Sequence, residues 1–355
     1  MSDRATDDIV ALLPPLLRAL DRLAFVARYL HPGDLPAVLE ACGDVDAELA
    51  AERPRLDGWP DELAHVRGPL SIAADEALAG FAALREGAGE DLTAAFKAFR
   101  HLPRAEEALY PLTRGLPPVS RFFLDGSHRD DTALALRLAE APPRPDAGVL
   151  HSDENPGGRG AFSMYVPETY DPARPAPLVM ALHGGSGNGR AFLWSWVRAA
   201  RTRGAILVAP TAIGPTWALT GDDVDTPNLG RILAFVRDRW AVDSSRLLLT
   251  GMSDGGTFTY VTGLEPASPF THLAPMSAAF HPMLASFADR GRLAGLPMHI
   301  VHGARDWMFP VHMARDAEAA LSGAGADVTY REVEDLSHTY PRELSGVLLD
   351  WILAG

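Results

Sequence analysis

From about residue 160 the chain alternates short, almost wholly apolar runs with amphipathic stretches, and this alternation restricts the fold more than any other feature. The runs "AFSMYV", "PLVMALHGG", "AILVAPTAI", "RLLLTGMS", "THLAPMSAA", "PMHIVHGARD" and "DVTYREVED" read as strands. Between them "GRAFLWSWVRAARTRG", "PNLGRILAFVRDRW" and "HMARDAEAALSGAG" place apolar residues at helical spacing, and "PRELSGVLLDWIL" closes the chain the same way. Several strands are too uniformly apolar to face water on either side. The expectation is therefore an α/β fold, a mostly parallel sheet with helices on both faces. Ligands on such sheets sit beyond the carboxyl ends of the strands, so the chemistry is sought there.

The preceding part has a different texture. In "DDIVALLPPLLRALDRLAFVARYL", Ile9, Leu12, Leu16, Leu20 and Leu23 recur every three or four positions, which describes one buried helical face. "PGDLPAVLEACGDVDAELAAER" and "GEDLTAAFKAFRHLPRAEEALYPL" repeat the pattern with an acidic residue near each start, as helix N-termini favour. Residues 1–125 are thus expected to form an all-helical domain. Residues 126–159, with "DGSHRDD", "APPRPDAG" and "HSDENPGGRG" around the short helix-like "TALALRLAEA", read as a linker region. Residues 160–355 then form the α/β domain.

Composition narrows the function classes. The chain of 355 residues has 47% hydrophobic and 22% charged residues, ordinary for a globular protein. Its formal net charge is −14 and Lys97 is its only lysine, so nucleic acid and anionic membrane surfaces are poor partners. One cysteine, Cys42, excludes an intrachain disulfide and argues against a cysteine-built metal site. The start "MSDRATDD" is acidic where a secretory signal is basic, and no apolar run reaches the ~18 residues of a membrane span, so a cytoplasmic protein is expected.

The motif with chemical content is "GMSDG", Gly-x-Ser-x-Gly, directly after the strand "RLLL" and before a segment, "GGTFTYVTGL", that can open a helix. So sharp a strand-to-helix turn needs small residues two before and two after its apex, and it lifts Ser253 above the sheet. A serine hydroxyl is a poor nucleophile without a base and a group to orient that base. In this architecture the acid follows the serine at a later strand end, and the histidine follows the acid before the last helix. Asp306, just past "PMHIVHG", and His338, in "LSHTYP" before the final helix, fit that order. Asp306 could equally be a turn or helix-capping aspartate, and a loop histidine is ordinarily solvated; the ordered set is the argument. Asp335 is a local competitor for orienting His338. His299 and His302 lie three apart in a strand, on opposite faces, which suits core or strand-end residues better than a metal pair. His281 and His312 lack a partner pattern. "LHGGSGNG" after "PLVMA" can aim backbone amides at a substrate, so the oxyanion hole is assigned to the N–H groups of Gly185 and Asp254. No Gly-Lys-Ser/Thr follows to support a phosphate-binding loop.

These segments together, "PLVMALHGGSGN", "VDSSRLLLTGMSDGG", "HIVHGARDWMFPV" and "SHTYP", resemble the esterase branch of the α/β-hydrolases. The likeness is to bacterial esterases related to the phospholipase/carboxylesterase and feruloyl esterase/polyhydroxybutyrate depolymerase groups, and it covers somewhat over half of the chain. The resemblance implies hydrolysis of a small-molecule carboxylic ester through an acyl-serine, with Ser253 as nucleophile, His338 as general base and acid and Asp306 as its orienting group. It implies no metal and no organic cofactor. Of Trp194, Trp196, Trp217, Trp307 and Phe309, only Trp307 and Phe309, which flank the acid, are assigned to the substrate pocket, and they favour small to medium acyl or aromatic esters. A serine peptidase, a polyester depolymerase-like hydrolase and a non-catalytic binding protein on the same fold are the alternatives. The helical region departs from the small stand-alone carboxylesterases. It is either a lid over the acyl pocket, as the pair Phe122 and Phe123 suggests, or a dimerisation or stabilising domain, so a homo-oligomer is possible.

Overall fold

The structure, a computed structural model, describes residues 3–31, 33–87, 92–155 and 157–354, with the side chains of 92–94 excepted. Pro32, Glu90, Asp91 and Pro156, which figured in the helix-start and linker readings, lie outside the described residues. The chain divides into two compact units, residues 1–139 and 140–355.

The first unit is helical. Its helix Asp3–Tyr29 runs through Pro14 and Pro15. An interior proline lacks the amide and strains the preceding turn at about 3 kcal/mol. Burial of Leu12, Leu16, Leu20 and Leu23 along one face offsets that cost, since each buried side chain contributes roughly 1.5–3 kcal/mol. The long helix Ala64–Glu86 is tied to its neighbours by two-pronged ion pairs, Arg53 to Asp75 and Arg85 to Asp46. Phe122 and Phe123 are buried and stand edge-on to each other, and Phe123 meets Tyr110 in the same geometry. These ring pairs tie the helix Pro117–Phe122 to the 3₁₀ turn Tyr110–Arg114 within the helical unit.

The second unit holds, among the described residues, one eight-stranded sheet. Its strands are β1 Gly148–His151, β2 Phe162–Val166, β3 Ala176–Leu182, β4 Ile206–Pro210, β5 Val242–Met252, β6 His272–Met276, β7 Pro297–Gly303 and β8 Asp327–Val333. The order across the sheet is β1-β2-β4-β3-β5-β6-β7-β8. β2 is antiparallel to both neighbours, and every other pairing is parallel. Every residue of β3 and β4 is buried, as strands covered by helices on both faces must be. This is the α/β-hydrolase arrangement, preceded by the helical unit.

The stretch 126–159, read as a linker, contains the helix Thr132–Glu140 and the edge strand β1. β1 has four residues and pairs on one side only, so proline and glycine close by cost it little, and the composition that signalled a linker concealed it. The segment 189–204 is not one helix but two short ones, Gly189–Phe192 and Val197–Arg203, joined by a 3₁₀ turn. No described helix is long and apolar enough to cross a membrane.

Candidate active site

β5 is the sheet's centre, and its last residue, Met252, pairs with Met276 of β6. The next residue, Ser253, has φ 56° and ψ −121°, and the helix Asp254–Gly263 starts immediately after it. A non-glycine residue in this region costs of order 1–3 kcal/mol, so the surrounding structure must impose it. Part of that imposition is legible in the flanking glycines. A Cβ on Gly251 would lie 2.3 Å from the Gly255 carbonyl oxygen, and one on Gly255 2.4 Å from that of Leu182. The amide of Ser253 donates to the Met276 carbonyl at 3.0 Å, which fixes the apex against β6.

Three of the residues singled out in the sequence come together here. The Nε2 of His338 lies 3.0 Å from Ser253 Oγ. Its Nδ1 lies 2.9 Å from Asp306 Oδ2 and 3.1 Å from Oδ1. All three side chains are buried, and Asp306 and His338 are held at the ends of β7 and β8 in loops that close on each other. Arg305 N donates to Leu336 O, and Ala304 N donates to Val333 O. With a carboxylate on Nδ1, that nitrogen carries the proton and Nε2 is left to accept from the serine hydroxyl. Burial alone would push the Asp306 carboxyl up, but the His338 hydrogen bond and the Phe309 amide hold it below the usual carboxylate range. Asp335, the local competitor, is exposed, and His338 turns to Asp306 instead.

The glycine loop after β3 runs along the serine. The Cβ position of Gly184 is 3.6 Å from Ser253 Cβ, and that of Gly185 is 2.7 Å from Asp254 Oδ2. Asp254 also accepts a 2.5 Å hydrogen bond from Thr216 Oγ1, and its amide stands at the first position of a helix, where backbone N–H groups have no intrahelical acceptor.

Reading the sequence missed what supports this loop. His183 Nε2 accepts from the Ala212 amide at 3.1 Å, so its Nδ1 carries the proton and donates to Gly184 O at 2.6 Å. Trp217 packs on the His183 ring and donates from Nε1 to the His183 carbonyl at 2.7 Å, and Phe258 stacks on Trp217. Burial pushes His183 down to about 4, so the ring stays neutral and its tautomer fixed. The available signal was a histidine between an apolar strand and a double glycine, a place where a side chain must be buried yet polar.

Trp307 is 40% exposed with its ring 6.3 Å from that of His338, and Phe309 stands perpendicular to the same imidazole at 5.2 Å. Trp194, Trp196 and Trp217 are core residues. His299 and His302 do point to opposite faces of β7. His299 packs on Trp351, whereas His302 reaches the Asp306 loop. Among the described residues no group of His, Cys, Asp and Glu is arranged to hold a metal ion.

No family model matches the chain. It is similar to feruloyl esterase C of Emericella nidulans, 28% identical over 159 residues that make up 42% of this chain and 56% of the relative. It is likewise similar to a probable feruloyl esterase C of Aspergillus terreus, 29% identical over 167 residues, 44% of this chain and 58% of the relative. The chain thus spans somewhat over half the length of these curated relatives. Among solved structures, a thermostable esterase superposes with a TM-score of 0.47 at 21% identity, over 55% of this chain and 58% of the other. By its strand order and its serine-bearing strand-to-helix turn, the second unit has the α/β-hydrolase fold.

Proposed function

We propose that this protein hydrolyses carboxylic esters through an acyl-serine, with Ser253, His338 and Asp306 as catalytic triad. The observation that carries the reading is the continuous hydrogen-bonded line from Ser253 Oγ through His338 to Asp306, with the serine held at positive φ at the head of a helix. Ser253 Oγ attacks the ester carbonyl while His338 Nε2 takes its proton. The charge that forms on the carbonyl oxygen is met by the amides of Gly185 and Asp254, and removing one such donor typically costs about 10²–10³ in kcat. His338 then returns the proton to the departing alkoxide, and the alcohol leaves. Water repeats the sequence on the acyl-serine, giving its proton to His338, and the carboxylic acid and free Ser253 result. Asp306 remains ionised throughout and stabilises the imidazolium.

The substrate is a small to medium acyl or aromatic ester. Trp307 and Phe309 beside His338 support this, since a half-exposed indole and a phenyl edge form an apolar wall next to the general base. The name feruloyl esterase, carried by the relatives, points the same way.

The test is intact-protein mass after treatment with a fluorophosphonate, beside Ser253→Ala, with hydrolysis of p-nitrophenyl acetate to octanoate followed in both. One adduct and ester turnover, both absent in the variant, are expected. Turnover that survives in Ser253→Ala would overturn the assignment, and a folded wild type with neither labelling nor turnover would turn the reading to a binding protein.

A further inference from the structure

The Asp306 carboxylate is fully enclosed, and among the described residues no arginine or lysine pairs with it. Its Oδ1 accepts from the amides of Met308 and Phe309 at 3.0 and 2.8 Å. Its Oδ2 faces two imidazoles: His338 Nδ1 at 2.9 Å and, from β7, His302 Nε2 at 3.4 Å. The same His302 Nε2 lies 2.8 Å from the Phe309 carbonyl oxygen. A carbonyl oxygen can only accept, so this nitrogen carries a hydrogen, shared between Phe309 O as the short arm and Asp306 Oδ2 as the long one. The turn Asp306–Phe309 is therefore pinned at both ends of Phe309, whose amide donates to the carboxylate while its carbonyl accepts from His302.

We propose that His302 is a positioning residue for the proposed triad: its Nε2–H fixes the Asp306 turn and steadies the carboxylate oxygen that orients His338. The proposal rests on the triad reading above. The choice of residue matters physically. An arginine here would neutralise Asp306 and weaken its hold on the imidazolium, and an apolar side chain would leave the turn unpinned. A neutral imidazole supplies a dipole and a tether without cancelling the charge. Burial holds His302 below the usual imidazole range against the opposing pull of the Phe309 carbonyl and Asp306. The charged and titratable groups that face it are Asp306, His338 and, across the β7–β8 register, Glu332. Glu332 is itself engaged by the Arg315 guanidinium at 2.7 and 2.9 Å and the Tyr330 hydroxyl at 2.8 Å.

The experiment compares His302→Phe, which keeps the ring and loses the donor, with His302→Gln, whose amide N–H can reach the same acceptors. Rates with p-nitrophenyl butyrate are normalised to the fluorophosphonate-labelled fraction, so misfolded protein does not count. In His302→Phe, kcat should fall about 10- to 100-fold with KM little changed, the scale expected for a sub-ångström misplacement at a reacting group. The acid limb of kcat/KM should move to higher pH, because a carboxylate with one donor fewer draws harder on the His338 proton. The downfield proton resonance of His338 Nδ1–H should shift with it. His302→Gln should stay within about 3-fold of wild type on the same reasoning. His302→Asn, too short to reach Phe309 O, replaces the phenylalanine variant if that one does not fold. Wild-type kcat and an unmoved acid limb in His302→Phe overturn the proposal, as does a Gln variant impaired equally with its limb unmoved, since packing alone would then be at work. If wild type turns over, Ser253→Ala does not, and His302→Phe is normal, only this proposal fails. If wild type itself neither labels nor turns over, the triad reading fails and this proposal with it.

Discussion

Gly255→Ala tests the geometric core of the site with a single methyl group. A Cβ at this position would lie 2.4 Å from the Leu182 carbonyl oxygen and 2.5 Å from that of His183. Both obstacles are backbone atoms, so no rotamer change relieves the clash, and the turn and the end of β3 must part by at least ~0.6 Å before the contact is tolerable. The displaced residues are those that aim the proposed oxyanion donors. Leu182 and His183 lead directly into Gly184 and Gly185, while Gly255 follows Asp254. Catalytic groups need placement within about 0.5 Å, and an ångström of error can cost roughly 10²-fold, so kcat for p-nitrophenyl butyrate should fall about 30- to 100-fold. Overpacking should lower stability by about 1–3 kcal/mol, read as a shift in the urea midpoint. Gly230→Ala is the control. It lies in the helix Asp225–Arg237 with nothing within 4 Å of its Cβ position, and it should leave kcat unchanged while stabilising the protein by about 0.5–1 kcal/mol. A Gly255→Ala protein with wild-type kcat and midpoint would falsify the claim that the glycine is set by this close approach.

Three other outcomes follow from the site. Asp306→Asn should fold normally yet lose about 10⁴ in kcat, because an amide N–H facing Nδ1 reverses the His338 tautomer; near-normal turnover would refute the assigned acid. His183, with a folded value of about 4 against an ordinary 6.5, makes the unfolded chain bind the extra proton first, so stability is lost as pH falls from about 6.5 towards 4 and levels off below. That contributes about 2 kcal/mol of the difference between pH 7 and pH 5 in urea titrations, and His183→Phe should abolish that share; an identical pH slope in the variant would contradict it. Trp307→Ala, at a half-exposed position, should raise KM for aryl esters several-fold at constant kcat and leave thermal stability unchanged, and a fall in kcat instead would place the indole in orientation of His338.

Seven of the eight strands of the sheet were legible: the central parallel strands must be apolar on both faces where helices cover them, which writes itself into short continuous runs such as "PLVMAL" and "RLLL", while the antiparallel β2 keeps a mostly buried run and the edge strand β8 alternates exposed and part-buried residues. The eighth, β1, escaped because its four residues are too few to show a period, whereas β8, the other edge strand, has seven. Ser253, Asp306 and His338 could be singled out because chain order at successive strand ends is a one-dimensional property, and topology converts that order into proximity. Tertiary structure alone decided the rest. Whether His338 turns to Asp306 or to Asp335 depends on how the loops after β7 and β8 close, which no local pattern encodes. His183 and His302 look like ordinary strand-end histidines in the sequence; only the fold sets one under the glycine loop and the other against the Asp306 turn. Periodicity reports which side of an element is dry, whereas the partner of a buried polar group is fixed by residues tens of positions away, and that information exists only once the chain has closed on itself.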